Sequence, residues 1–204
     1  MIPDEAHYLI LLHYIDARSA NGMKQRTVMN QLSETGRTGG YIKVFSHDVS
    51  GGLFTNYDVG NKNPEDPDNK LYSILDQLED YRSSVGKFQF KLCYPELTWG
   101  LDEKTCNEWI QASNPYTESS ITGFEEIFLA FDKNSSNDDW RGLGKNLVGN
   151  DVAVMMDDSP DTSNWFSAIG AKSYWGNGTI PGPRHPTDHN TNSQISIVEL
   201  FVKE

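Results

Sequence analysis

Beyond Gly40, apolar and polar residues alternate with a period of two, which is typical of β-strands that bury one face. Six segments have this alternation or a short apolar run. We predict a strand at each of them: residues 41–47, 87–93, 123–131, 152–156, 165–171 and 195–202. The polar residues 58–70, rich in Pro, Asp and Asn, are predicted to form a loop.

Helical spacing predominates before Gly40 and recurs once later in the chain. From Tyr8 to Ile15, apolar residues follow the i, i+3, i+4, i+7 spacing of one helix face, and a second helix is expected within residues 23–33. The same spacing predicts an amphipathic helix near residues 71–83. We expect the amino-terminal helices to cover a hydrophobic edge of the main domain.

Short strands separated by Gly, Pro, Asn and Asp clusters are typical of sandwich and jelly-roll folds. The predicted fold class is therefore mainly β, with one antiparallel β-sandwich or jelly-roll-like domain over residues 41–204. Helical additions complete it, namely a helical amino-terminal extension over residues 1–40 and the helix near residues 71–83.

Composition narrows the class of protein. The chain has 204 residues, a mean hydropathy of −0.58 and a formal net charge of −12. Its longest apolar run, from Tyr8 to Tyr14, is far shorter than the ~20 residues that span a bilayer, so we expect no membrane insertion. The negative charge disfavours nucleic acid as a partner, whereas divalent cations and neutral sugars suit it.

The cysteines and sequons indicate an oxidising compartment. Cys93 and Cys106 are predicted to form a local disulfide, with two buried free thiols as the alternative. Asn134 and Asn177 begin N-x-[S/T] sequons and are candidate glycosylation sites. Together they favour a secreted, extracellular protein. The start of the chain lacks the pattern of a signal peptide, because Asp4 and Glu5 precede the apolar stretch.

An acidic segment before Trp140 is the best candidate for a calcium site. Calcium prefers six to eight oxygen ligands, and this segment offers carboxylates and amides. The predicted ligands are Asp132, Asn137, Asp138 and Asp139. The segment is not an EF-hand, since its sixth position is Asn rather than Gly. A solvated turn is the alternative interpretation.

Ligand binding is predicted at a second acidic cluster and at nearby tryptophans. Asp157 and Asp158 follow the predicted strand 152–156 and are suited to a cation or to sugar hydroxyls. Trp140 and Trp175 lie beside Gly, Asn and Asp, and an indole face can stack on a sugar ring. The alternatives are a strand-ending turn for the aspartates and a place in the core for the indoles.

The sequence gives weaker support for a transition-metal site or a catalytic site. His185, Asp188 and His189 include transition-metal ligand types, but Pro186 argues against a helix that would align the two imidazoles. Glu125 and Glu126 are adjacent, so on a strand they would point to opposite faces and could not flank one glycosidic bond. Because no hydrolase, phosphate-loop or dinucleotide motif occurs either, we expect no catalytic residues.

Eight short strings occur in order along the chain: KLCYPEL at 91–97, CNEW at 106–109, SNP at 113–115, TGF at 122–124, WxGL at 140–143, NWFxAIG at 164–170, GTIPGP at 178–183 and VELFV at 198–202. Together they resemble a domain of secreted cnidarian proteins, including coral skeletal organic matrix proteins, over about residues 41–204. The resemblance implies an extracellular, non-catalytic role, since this domain often stands beside fibrinogen-like or other adhesive domains.

These observations predict a non-enzymatic extracellular recognition module. Its loops would bind a glycan or a matrix partner through Asp, Asn and Trp side chains, with calcium as the implied cofactor. The first alternative is a structural matrix protein that self-associates into homo-oligomers. The second is a hydrolase that acts on polysaccharide.

Overall fold

The computed structural model of the protein describes residues 37–38, 40–55, 58–96, 106–130, 140–146, 154–157, 168–170 and 196–204, all within the unit Gly36–Glu204. Its strands are β1 Arg37–Thr38, β2 Tyr41–Asp48, β3 Leu71–Ser73, β4 Phe88–Cys93, β5 Cys106–Gln111, β6 Glu125–Leu129, β7 Leu143–Lys145, β8 Met155–Asp157, β9 Ala168–Ile169 and β10 Ile197–Lys203. Two 3₁₀ helices, Val49–Gly51 and Leu75–Tyr81, lie between strands.

Seven of these strands form one antiparallel sheet, called the large sheet below. Its order is β1-β2-β10-β4-β5-β6, and β3 also pairs with β2. The carboxy-terminal strand β10 lies between β2 and β4, so the last residues of the chain are central in the sheet. The small sheet has the order β7-β8-β9 and is also antiparallel.

Alternation of side chains gives the large sheet one inner, apolar face. On β4, Phe88, Phe90 and Leu92 are almost fully buried, while Gln89 and Lys91 between them are only half-buried. Buried residues of the neighbouring strands belong to the same core: Val44, Phe45, Trp109, Val198, Leu200 and Val202. Burial of such side chains is worth about 1.5–3 kcal/mol each, so this face is the main stabilising element.

The small sheet and the 3₁₀ helix Leu75–Tyr81 contribute to the same core. Leu143, Met155 and Ile169 of the small sheet, and Leu75 and Leu78 of the helix, belong to one buried cluster with the inner face. Two antiparallel sheets therefore share one core in a sandwich-like arrangement. The predicted fold class, mainly β and antiparallel, is confirmed.

Most strand predictions agree with the structure. The segments predicted at 41–47, 87–93 and 195–202 correspond to β2, β4 and β10, and the three apolar runs correspond to shorter strands, β6, β8 and β9. Strand β5 was not predicted, although it lies between β4 and β6. Its buried positions alternate Asn107, Trp109 and Gln111, so polar residues stand where an apolar pattern is expected.

The predicted helix near residues 71–83 is wrong in its first part. Leu71–Ser73 is strand β3, which pairs with β2, and the helix that follows is a 3₁₀ helix rather than an α-helix. The backbone N–H of Ile74 donates to the carbonyl of Val44, so the chain stays hydrogen-bonded to β2 until the helix starts. The helical extension predicted for residues 1–40 lies, apart from Arg37, Thr38 and Gly40, outside the described residues.

Candidate functional site

Four of the predicted site residues are described by the structure: Cys93, Cys106, Trp140 and Asp157. The others lie outside the described residues, namely Asp132, Asn134, Asn137, Asp138, Asp139, Asp158, Trp175 and Asn177, and so do His185, Asp188 and His189, where no metal site is predicted.

The disulfide joins the adjacent strands β4 and β5 of the large sheet. Cys93 and Cys106 are directly opposite in the strand register, with their Cα atoms 4.1 Å apart, and their sulfur atoms are bonded. The predicted disulfide is confirmed. It closes residues 94–105 into a loop and lies on the outer face of the large sheet beside Tyr41 and Phe201.

Trp140 is a core residue. Its side chain is 4% exposed, and its indole packs edge-on against Trp109 with ring centroids 5.2 Å apart. The prediction that Trp140 offers a stacking surface to a sugar is therefore wrong, because the ring has almost no exposed face. The alternative, an indole that fills the core, is the one that fits.

Asp157 lies inside a strand rather than after it. Strand β8 ends at Asp157, one residue beyond the predicted strand, and the side chain is 3% exposed. Its Cα partner in the sheet is Leu143, the first residue of β7. The burial of Asp157 does not fit the prediction that its carboxylate binds a cation or sugar hydroxyls, and its place in β8 does not fit the alternative, a strand-ending turn, either.

Leu143 is held by a side chain of the large sheet. Gln111 Oε1 accepts hydrogen bonds from the backbone N–H of Leu143 at 3.1 Å and from Trp109 Nε1 at 2.7 Å. Gln111 Nε2 donates to the carbonyl of Leu143 at 2.9 Å and to that of Ser113 at 2.8 Å. The fully buried carboxamide thus has its donors and acceptor paired, and its two hydrogen bonds with Leu143 hold β7 against β5.

The start of β7 and the end of β8 lie side by side at one end of the small sheet. Because β7 and β8 are antiparallel and Leu143 pairs with Asp157, the chain enters β7 at the end where it leaves β8. In the sequence, Asp158 comes directly after this end of the small sheet and Asp132–Asp139 come shortly before it; all of them lie outside the described residues. We call this the acidic end of the small sheet. Trp140, three residues before Leu143, packs on Trp109 in the core.

No group of three or more His, Cys, Asp or Glu side chains able to hold a metal ion occurs among residues that the structure describes. The two adjacent glutamates Glu125 and Glu126 are both exposed on the edge strand β6. Glu125 forms an ion pair with Lys87. The described part of the chain contains no helix long and apolar enough to cross a bilayer.

The outer face of the large sheet has a polar cluster that the sequence patterns did not predict. Tyr41 Oη donates to Glu108 at 3.4 Å and accepts from Gln89 Nε2 at 2.7 Å. Lys91 pairs with the same Glu108 at 3.3 Å. Burial, followed by the nearby Glu108 carboxylate, raises the pKa of Tyr41 to about 12. The alternation of β4 and β5 could have revealed this cluster, because it pairs Lys91 with Glu108 once β5 is known.

Comparison with known proteins finds no relative of this chain. The chain matches no family model, no curated protein and no solved structure.

Proposed function

We propose that this protein is a non-enzymatic, extracellular recognition module that binds a glycan or a matrix partner at the acidic end of the small sheet. Calcium held by Asp132, Asn137, Asp138 and Asp139 would assist binding. Asp158 would bind sugar hydroxyls, and Trp175 would supply the stacking surface that the buried Trp140 cannot.

The observation that carries the proposal is the pairing of Leu143 with Asp157. Because of this pairing, two segments that are separated in the sequence and that both contain acidic side chains connect to neighbouring strands at the same end of the small sheet. Oxygen ligands from more than one segment are what a calcium ion of high coordination number needs. A glycan also needs several carboxylates and amides, because each sugar hydroxyl is both a donor and an acceptor.

The packed residues to which these segments connect support the proposal further. Binding sites are precise when they stand on packed elements rather than on loops alone. Here Trp109, Trp140 and Gln111 fill the space between the two sheets, and each is at most 4% exposed. The segments would therefore start from fixed points, and less conformational entropy would be lost on binding.

The extracellular location rests on the disulfide. Disulfides persist mainly in oxidising compartments, and Cys93–Cys106 is compatible with secretion. Glycans on Asn134 and Asn177 belong to the same proposal. Mass spectrometry of protein secreted from a eukaryotic host, before and after glycosidase treatment, would test them. Unmodified peptides containing both asparagines would contradict the glycoprotein assignment.

Calcium titration of the intact protein tests the acidic end directly. We expect a dissociation constant on the order of 10⁻⁴–10⁻³ M, the range of extracellular modules. The double variant Asp138→Asn/Asp158→Asn should weaken binding at least about tenfold. Glu65→Gln/Asp68→Asn is the matched control, because it removes two charges from an exposed loop elsewhere. Equal affinity of both variants would overturn the proposed site.

A further inference from the structure

His47 is a fully buried histidine in a setting that disfavours its charged form. It lies near the end of β2, between Val198 of β10 and Leu71 of β3. Its ring is nearly perpendicular to those of Phe54, with centroids 5.0 Å apart, and of Phe45, with centroids 6.4 Å apart. The imidazole is therefore enclosed by apolar groups on its inner side.

The two ring nitrogens of His47 differ in their hydrogen bonding and in their protonation. Nε2 lies 2.9 Å from the carbonyl oxygen of Gly52, which can only accept, so Nε2 carries the proton. Nδ1 is then the basic nitrogen, and it is buried with no hydrogen-bond partner within the part of the chain that the structure describes. A second proton on Nδ1 would therefore be a buried donor without an acceptor.

The hydrogen bond fastens the segment after β2 to the sheet. This segment, Val49 to Phe54, contains a 3₁₀ helix and the turn at Gly52, and its Phe54 ring stacks on Phe45 at 5.1 Å. We propose that His47 is an acid-sensitive latch, whose protonation releases the segment from Val49 to Phe54 while the rest of the sheet stays folded.

The charged groups around His47 do not compensate a buried imidazolium. Asp48 follows it on β2, on the opposite face of the strand, and its Oδ1 accepts from the backbone and hydroxyl of Ser50. Lys70, just before β3, donates to the Ser50 hydroxyl. Glu199 on β10 pairs with Lys43 on the outer face. Residues 49–54 contain no ionisable side chain.

The direction of the effect follows from linkage. Burial lowers the pKa of His47 below its ordinary value, outweighing the hydrogen bond to Gly52 and the charge of Asp48. The latch is therefore closed above about pH 6.5, where the imidazole is neutral in both states, and opens as the pH falls through the lowered pKa. This inference is independent of the proposed function.

Hydrogen exchange measured by mass spectrometry tests the latch. Peptides covering residues 49–55 should show an opening equilibrium that rises by up to about tenfold per pH unit below about pH 6.5, after correction for intrinsic exchange. Peptides of β4 should not change. In His47→Gln, whose carboxamide can still donate to Gly52 but does not titrate, the pH-dependent rise should disappear.

Two outcomes would overturn the latch: the same pH dependence in His47→Gln, or equal opening of β4, which would mean global unfolding. Should His47→Gln fail to fold, NMR titration of the wild-type His47 Cε1 proton decides. Titration below about pH 6.5 together with increased exchange of residues 49–55 supports the latch. An ordinary titration near pH 6.5 without increased exchange contradicts it.

Discussion

The carboxamide of Gln111 on β5 occupies both backbone hydrogen-bonding groups of Leu143 on β7. Its Oε1 accepts from the Leu143 N–H at 3.1 Å, and its Nε2 donates to the Leu143 carbonyl at 2.9 Å. One side chain thus acts as a strand partner between the two sheets. It fixes the residue whose pairing with Asp157 defines the acidic end of the small sheet.

Replacing this carboxamide should be among the most damaging single changes in the described core. Gln111→Leu keeps a similar volume but leaves the N–H and carbonyl of Leu143 and Trp109 Nε1 without this partner. A buried group without its hydrogen bond costs about 1–3 kcal/mol, so we expect a loss of about 3 kcal/mol or more in the free energy of unfolding. Chemical denaturation measures it.

Gln89→Leu is the matched control for this substitution. Gln89 has the same side chain but is half-buried on the outer face, and it donates to Tyr41 Oη. Its loss should cost about 1 kcal/mol. Similar losses in the two variants would contradict the role assigned to Gln111.

Gly142, which precedes Leu143, should not tolerate a side chain. Its φ is +97°, and a Cβ atom there would lie 2.6 Å from Gln111 Oε1 and 3.1 Å from Trp109 Nε1. Gly142→Ala therefore combines backbone strain of roughly 1–2 kcal/mol with a contact that must displace the carboxamide.

Gly86→Ala is the matched control, because it introduces the backbone strain without a steric contact. Gly86 has a φ of +80°, and nothing lies within 4 Å of the position of its Cβ. We expect Gly142→Ala to lower the melting temperature clearly more than Gly86→Ala in thermal unfolding. Equal shifts would mean that the carboxamide of Gln111 adapts without cost.

Loss of the disulfide should destabilise the large sheet without changing its fold. The bridge links residues 13 apart on adjacent strands, and for a loop of this length the chain-entropy model gives about 3 kcal/mol. The double variant Cys93→Ala/Cys106→Ala should lose that amount in urea unfolding, and a reductant should have little further effect on it. A variant as stable as the oxidised protein would show that the bridge contributes nothing.

Tyr41 should make stability fall at alkaline pH. Burial and then Glu108 raise its pKa from 10.0 to about 12, so the folded state retains a proton that the unfolded state has lost. The contribution is fully present below about pH 10 and is lost as the pH rises towards 12, at most about 1.4 kcal/mol per pH unit. Relative to Tyr41→Phe, the wild type should therefore lose stability over this range. Parallel curves for the two proteins would contradict the raised pKa.

Sequence patterns revealed the strands that have an apolar inner face. On β4, Phe88, Phe90 and Leu92 alternate with polar residues, and burial alone explains why this alternation predicts a strand. The pattern did not predict β5, because Gln111 is buried for its hydrogen bonds rather than for its apolar area. A contact with Leu143, 32 residues away, cannot be read from local periodicity.

The helix near residues 71–83 shows a second limit. Leu71, Ile74, Leu75 and Leu78 have helical spacing, but Leu71–Ser73 forms a strand because β2 offers it an unpaired edge. Tertiary pairing thus overrides the local pattern. Of the candidate site, the disulfide was predictable from two cysteines alone, whereas the burial of Trp140 depends on Trp109 across the core.

The central claim is recognition at the acidic end of the small sheet, and a glycan array tests it most directly. The intact, disulfide-bonded protein should bind a restricted set of glycans saturably in calcium, and this binding should disappear in EDTA and in Asp138→Asn/Asp158→Asn. The Glu65→Gln/Asp68→Asn control should bind like the wild type. Absence of glycan binding together with calcium-dependent oligomers in light scattering, or turnover of a polysaccharide by the wild-type protein, would contradict the account.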